Sequence, residues 1–459
     1  MKRIFSFLMA LSLVLTLFTG CGKDKSPTTE ELMEKYGDGT YVSVDEMPMV
    51  YLYGEEDSEL RNQIINYNYG HQEKLNQQFR YILCNDLPLD QFGTKIQAEM
   101  MSGTGPDLIF TRQSAMFSDI NKVIASGAFG AWEAYESDLD SNRYYTKMLD
   151  GVYSPDGKHY LLPLNVSMQY VVTSKTNLQK YGLTVENLAD FGKMTDALYR
   201  LWQTTDADVY PIVITTDHYR KYIPTLTYNG DLDFTAVMPE ILDYQSQKTA
   251  LSDESNRLIL EKWGEMLALA QKRRDDEAPN IPKSILHGIL SGTVIMEIMS
   301  QNQLTYYLYE NTQWLDEDEA KEQLSDLVIL PLCDTQGRIV ADIDTYAVMS
   351  ANAKGEDALA GFIKWFAEGE YEGNLLLSEP YLNQESTIEE FNIQYGKDYT
   401  EGVFSGEILH EMIKDAEWNL RVPNDSMKEF NTEIMDCMSN PDTADWEELE
   451  RSINIYLSE

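Results

Sequence analysis

Apolar positions in this chain fall into short runs that alternate with stretches of helical spacing. Met49–Tyr53 (MVYLY) reads as a strand and residues 58–69 as a helix. Residues 79–84 predict a second strand. Residues 89–102 then carry Phe92, Ile96 and Met100 on one helix face. A third strand at 108–110 and a helix at 114–126 follow. The alternation recurs, with strands at 160–164, 170–173 and 211–215, a helix at 185–202, and a long amphipathic helix at 251–274 through Leu258, Trp263 and Leu267. Three more strands are expected at 294–299, 327–332 and 345–349, then a helix at 358–368. The remainder reads as mostly helical, ending at 446–457. Strands alternating with helices imply βαβ units and a parallel sheet, hence an α/β fold. No tandem repeat, low-complexity tract or second membrane segment interrupts the pattern.

Length changes the picture first. A chain of 459 residues exceeds what one hydrophobic core serves, so two lobes are expected. Its 43% apolar and 11% aromatic content excludes global disorder. The 36 basic residues against 76 acidic ones give a formal charge of −40. That field repels phosphate backbones and anionic headgroups, excluding nucleic-acid binding and charge-driven membrane adsorption, and it disfavours polyanionic ligands.

Residues 1–21 (MKRIFSFLMALSLVLTLFTGC) open with Lys2 and Arg3, continue with an apolar run to Phe18, and end in small residues and Cys21. The run is too short for a membrane span and fits an export signal. A Cys directly after Thr19-Gly20 resembles the lipobox of bacterial lipoproteins, with Phe18 where that motif has Leu. The resemblance implies cleavage before Cys21 and a lipid on its thiol; a plain secretory signal with an incidental Cys is the alternative. Residues 1–20 are then signal peptide and 21–40 a polar, flexible tether. Losing Lys2 and Arg3 takes the net charge from −40 to −42. Cys84, Cys333 and Cys437 remain, an odd number in apolar contexts, and read as packing residues with no base spaced to activate a thiol.

Residues 95–109 (KIQAEMMSGTGPDLI) end a helix at Ser102, turn on Gly103 and Gly105, and enter a strand through Pro106-Asp107. This segment resembles the family 1 extracellular solute-binding proteins of ABC importers, the maltose-binding-like group. Further segments follow that family's order: Gly127-Ala128-Phe129 with Trp132-Glu133, the run from Gly157 to Pro163 (GKHYLLP), Tyr181-Gly182-Leu183, residues 292–296 (GTVIM), Val422-Pro423-Asn424 and the C-terminal Tyr456-Leu457-Ser458-Glu459. Two places depart from it. Thr173-Ser174-Lys175 replaces Y-N-K, and polar Gln301-Asn302 stands where the family has Trp. The resemblance implies a two-lobed periplasmic-binding-protein-like fold of type II, each lobe a mostly parallel sheet flanked by helices, with a hinge between. Lobe one is expected at 41–163, completed by about 341–400. Lobe two is expected at 164–340, completed by about 401–459.

Scans for catalytic motifs are empty: there is no P-loop, HExxH or GxSxG, and the five His residues are scattered. Asn229, Asp231, Asp233 and Glu240 occupy calcium-loop positions, but Phe234 stands where the turn wants Gly, so an ordinary polar loop is expected and no metal or cofactor. Asp342 and Asp344 flank Ile343 and face one side of the chain, as a carboxylate pair or as hinge-proximal residues.

Sugar recognition needs aromatic faces and convergent polar groups on loops at strand ends facing an interlobe crevice. Four loops qualify, and the resemblance places all four at ligand contacts: Thr111-Arg112-Gln113; Asn165, Ser167 and Gln169 on the crossing segment; His218, Tyr219 and Tyr222; and Gln301-Asn302, with Asp344 as a further candidate. The expected protein is a monomeric, lipid-anchored binding protein on the outer face of a membrane, of the Gram-positive kind. It would close over a neutral saccharide and deliver it to an ABC permease, catalysing nothing. A surface carbohydrate-binding lipoprotein without a transporter and a secreted glycoside hydrolase are the alternatives.

Overall fold

The computed structural model describes residues 47–54, 57–71, 78–84, 87–132, 139–206, 208–214, 232–276, 285–301, 324–354, 382–395 and 404–459, with a few single positions between them. The signal-like segment, Cys21 and the tether lie outside the described residues. No helix among the described residues is long and apolar enough to cross a membrane.

Three strands, β1 (Met49–Tyr53), β2 (Arg80–Cys84) and β3 (Leu108–Thr111), pair in parallel in the order β2-β1-β3. Helices α1 (Ser58–Gly70) and α2 (Leu89–Met101) make the crossovers that parallel pairing requires. Tyr51 and Tyr53 of β1 set their rings 6.3 and 5.2 Å from that of Phe92 on α2, where Ile96 and Met100 are wholly buried, and Val50 and Leu52 fill the opposite face of the strand. The Gly103 turn sits at φ +72°, where a side chain would be strained, and a Cβ on Gly105 would stand 2.7 Å from the Met100 amide nitrogen. Asp107 then ties the turn into the sheet. Its carboxylate accepts from the amides of Met49 at 2.8 Å and Lys354 at 2.7 Å.

The helix expected at 114–126 is two pieces, a turn at Ser114–Met116 and α3 (Ile120–Ala125). Asp119 causes the break: its Oδ1 accepts from the amides of Asn121 and Lys122 and starts a new helix. A two-residue strand, β4 (Phe129–Gly130), returns the chain to the sheet. The strands expected at 160–164 and 170–173 are one, β5 (Leu161–Ser174). Next come α4 (Lys175–Tyr181), α5 (Phe191–Thr204), capped by Asp190, β6 (Tyr210–Ile214), α6 (Glu254–Asp276), α7 (Ile285–Ser291), β7 (Val294–Ser300) and β8 (Leu327–Pro331). Strand β9 (Ile339–Ser350) starts six residues before the expected 345. Helix α8 (Gln384–Tyr395), α9 (Gly406–Ile413), an unexpected strand β10 (Trp418–Arg421), α10 (Asp425–Ser439) and α11 (Trp446–Ser458) complete the chain.

Two strands carry the chain between the halves of the molecule. β5 pairs antiparallel with β9 over Leu161 to Met168, then changes partners and pairs with β7 and β8 from Gln169 to Ser174. β6 lies parallel to β7 beyond. β9 in turn pairs with β3 and β4 at its C-terminal end and with β10 at its N-terminal end. The first lobe is thus built on β1–β3 and the second on β6–β8. In the second lobe α5 and α6 pack through Phe191 and Trp263, stacked at 5.6 Å, and the Trp263 indole donates to Thr195 at 2.9 Å. Trp263 is therefore a packing residue.

Cys84, Cys333 and Cys437 are half-buried. Burial, with Asp334 and Asp190 nearby, pushes the Cys333 thiol up to about 12, far from a reactive thiolate.

Candidate functional site

The C-terminal ends of β1 and β3 open toward the strand crossing, and the side chains there are bound to one another. Asp57 follows β1 and is wholly buried. Its carboxylate accepts from the amide of Tyr53 at 2.9 Å, the hydroxyl of Thr111 at 2.9 Å and the amide of Arg112 at 3.2 Å. Burial raises its pKa above the usual carboxylate range, partly offset by these hydrogen bonds and the Arg112 charge. From the other side, Tyr346 of β9 donates to the Gln113 carbonyl at 3.1 Å, and the Gln113 amide donates to Thr111 Oγ1 at 3.0 Å. Thr111, Arg112 and Gln113 are thus a clamped loop, and Thr111 serves inward as a strut.

The clamp leaves the Arg112 side chain facing the crossing strands. Its Nη2 stands 4.0 Å from Asp344 Oδ2, with both side chains part-exposed, at 24% and 31%. Asp344 is placed there by an irregularity. The β5–β9 register shifts between Pro163 and Asn165 and again between Asn165 and Val166, which leaves Leu164 and Asp344 as the extra residues. Asn165 lies opposite Thr345, both without solvent exposure, and Thr345 Oγ1 has no hydrogen-bond partner among the described residues. Ser167 is exposed and Gln169 half-buried, so the polar alternation read from the sequence lies along β5 where it leaves one lobe for the other.

Two residues before Asp344, Asp342 is engaged elsewhere. Arg421 of β10 donates from Nε to Asp342 Oδ1 at 2.7 Å and from Nη1 to Asp233 Oδ2 at 2.6 Å. Burial pushes Asp342 up, and Arg421 partly offsets it. The two acids on one face of β9 therefore have different partners, one guanidinium from each end of the crossing.

Gln301, buried after β7, accepts from the Tyr170 hydroxyl at 2.8 Å and so braces β5. His218, Tyr219, Tyr222 and Asn302 lie outside the described residues. Of the calcium-loop pattern, Asn229 and Asp231 lie outside them too. Asp233 caps the turn Phe234–Val237 and pairs with Arg421, while Glu240 accepts from the Thr335 hydroxyl at 2.9 Å. No group of three or more metal-ligating side chains occurs among the described residues.

Sequence reasoning missed Asp57, Tyr346 and Arg421. Asp57 had a usable signal, since it follows a strand end as Arg112 does. Tyr346 and Arg421 had none, being ordinary residues of strands until pairing places them.

A family model for the bacterial extracellular solute-binding proteins matches residues 84–379. Among solved structures, the sugar-binding protein MalE from the phytopathogen Xanthomonas citri is similar with a TM-score of 0.55 and 11% identity, over 90% of this chain and 97% of its own. An extracellular solute-binding protein family 1 member from Alicyclobacillus acidocaldarius gives a TM-score of 0.51 and 12% identity, over 90% and 98%. The bacterial solute receptor AcbH, described as having an exclusive preference for β-D-galactopyranose, gives 0.52 and 11%, over 90% and 99%. At such identities the likeness is one of fold. No curated protein matches the sequence significantly.

Proposed function

The chain belongs to the bacterial extracellular solute-binding proteins, and on that premise we propose that it captures a neutral carbohydrate between its lobes for delivery to an ABC permease. In this reading it is held at the outer face of the membrane by a lipid on Cys21 and performs no reaction. The lobes rotate about β5 and β9, and the solute lies against the Thr111–Gln113 loop and the crossing strands.

The observation that carries the reading is the 4.0 Å gap between Arg112 Nη2 and Asp344 Oδ2. It is too long for a direct hydrogen bond. Asp344 Oδ2 has no hydrogen-bond partner among the described residues, and a sugar hydroxyl, which both donates and accepts, completes it while accepting from the nearby guanidinium. The MalE and AcbH likenesses, both to sugar binders, agree with a saccharide. The charge of −40 opposes any solute with several phosphates or sulfates.

The test is a thermal-shift screen of neutral, cationic and polyanionic sugars and of peptides, followed by calorimetry of the best hit at two ionic strengths. A neutral saccharide is expected, with affinity nearly independent of salt. Arg112→Ala is expected to weaken it by about 1–3 kcal/mol, the cost of an unpaired buried group. A polyanionic best hit, or unaltered affinity in Arg112→Ala, sinks this site assignment.

A further inference from the structure

Away from the crossing strands, a cluster built around Asp119 joins the two lobes. The C-terminal helix α11 belongs with the second lobe. Its Tyr456 ring packs on Phe430 of α10 at 5.2 Å, its Asn454 accepts from the Thr249 amide at 3.1 Å, and α10 lies against α6, where a Cβ on Gly264 would stand 2.9 Å from the Met438 carbonyl. Asp119 and Lys122 belong with the first lobe. Lys122 sits on α3 and Asp119 caps it, and α3 leads into β4 and its pairing with Met349 and Ser350. Yet the Tyr456 hydroxyl donates to Asp119 Oδ2, and the Lys122 ammonium donates to the Tyr456 carbonyl and lies 3.8 Å from the centre of its ring. Tyr244, also of the second lobe, places its hydroxyl 3.4 Å from that of Tyr456. Burial first, and the Asp119 charge second, push both phenols above their usual range, so they remain protonated donors.

We infer that Tyr456, Asp119 and Lys122 form an interlobe latch, which sets how far apart the lobes stand and thereby the affinity of the cleft without touching solute. The inference rests on the two-lobed binding reading above and concerns the regulation of that same site. Its physical basis is geometric. Rotation about β5 and β9 leaves the bonds within those strands intact, but a bond joining the lobes off the strands must stretch or break. Asp119 is 3% exposed, and its Oδ1 is already held by two α3 amides, so the carboxylate cannot follow a departing Tyr456 without undoing the start of α3. The latch is therefore made or unmade as a unit. Each lobe separation carries a different free energy according to whether the latch is closed.

The experiment reads lobe separation in the full chain without solute, so a failure of carbohydrate binding cannot be mistaken for a failure of the latch. Ketone-bearing residues replace the exposed Asn62 of α1 and Arg200 of α5 and take spin labels that ignore the native thiols. Electron–electron resonance then gives the interlobe distance distribution. Tyr456→Phe keeps the ring and its packing but loses the donor, and is expected to shift and broaden the distribution, more so when combined with Lys122→Met. Ile455→Ala, at a position 51% exposed on the same helix, is expected to leave it unchanged. An unchanged distribution in Tyr456→Phe/Lys122→Met overturns the latch. So does a shift in Ile455→Ala equal to that in Tyr456→Phe, which would assign the effect to the helix as a whole.

Discussion

Asp57 concentrates the chemistry of the site in one residue that is itself inaccessible. A buried carboxylate is costly unless its acceptor sites are filled, and here one side-chain hydroxyl and two amides fill them. The arrangement fixes the backbone of Arg112, whose guanidinium lies 4.0 Å from Asp344. It also has a pH signature. Burial raises the folded-state pKa of Asp57 above its unfolded value, so the native protein binds its proton more readily than the unfolded chain. The contribution of this group to stability is full below the unfolded pKa and is lost as pH rises through the folded one. Asp57→Asn removes that titration. Urea unfolding of both proteins from acid to neutral pH should show wild type losing ground relative to the variant as pH rises. A parallel pair of pH profiles would deny that Asp57 titrates in this way. Saccharide binding should fall in Asp57→Asn at all these pH values, because the amide nitrogen turns a donor toward groups that themselves donate.

Elements translate such residues into geometry, and the sharpest case is the turn between α2 and β3. Gly105 has no room for a side chain, since a Cβ there would approach the Met100 amide nitrogen to 2.7 Å and the Glu99 carbonyl carbon to 2.9 Å. Both neighbours are backbone and cannot yield, so Gly105→Ala should cost about 1–3 kcal/mol, the usual penalty of overpacking. A thermal melt unchanged from wild type would show that the turn relaxes freely. This turn was legible in the sequence as Gly103-Thr104-Gly105-Pro106-Asp107, because glycine, proline and a carboxylate at fixed offsets specify local geometry. The β1–α1–β2–α2–β3 alternation was legible for the same kind of reason, through hydrophobic period. The long crossing strands were not. Asn165, Ser167 and Gln169 in β5 read as loop, and Asp342 and Asp344 fell ahead of the expected strand at 345–349, because a local window cannot know that the two polar stretches pair with each other. β10 was hidden likewise, four residues between helices that become a strand only beside Ile339 to Asp342. Helix breaks at Asp119 and Asp190 were missed because an apolar stripe continues across a cap that only the hydrogen bonds disclose.

At the scale of the whole molecule, charge and anchorage constrain each other. A body of formal charge −40 is repelled by an anionic membrane surface, and no described helix can cross the bilayer. In the proposed reading, residence at the membrane comes from the segment before residue 47, where Cys21 is the one cysteine whose thiol can carry lipid. Two acyl chains on one thiol-linked glyceride anchor stably, whereas a single chain binds only marginally. The polar stretch from Gly22 to Glu34 would hold the lobes clear of the surface, with freedom to rotate about β5 and β9. Cys21→Ala removes the acceptor and leaves nothing attractive in its place. The variant should therefore leave the membrane fraction completely, appearing in the medium or as soluble precursor, with saccharide affinity unaltered. Fractionation with salt and mild alkaline washes makes the measurement: retention of Cys21→Ala after both washes would mean that a retained apolar segment, and not a lipid, holds the protein in place.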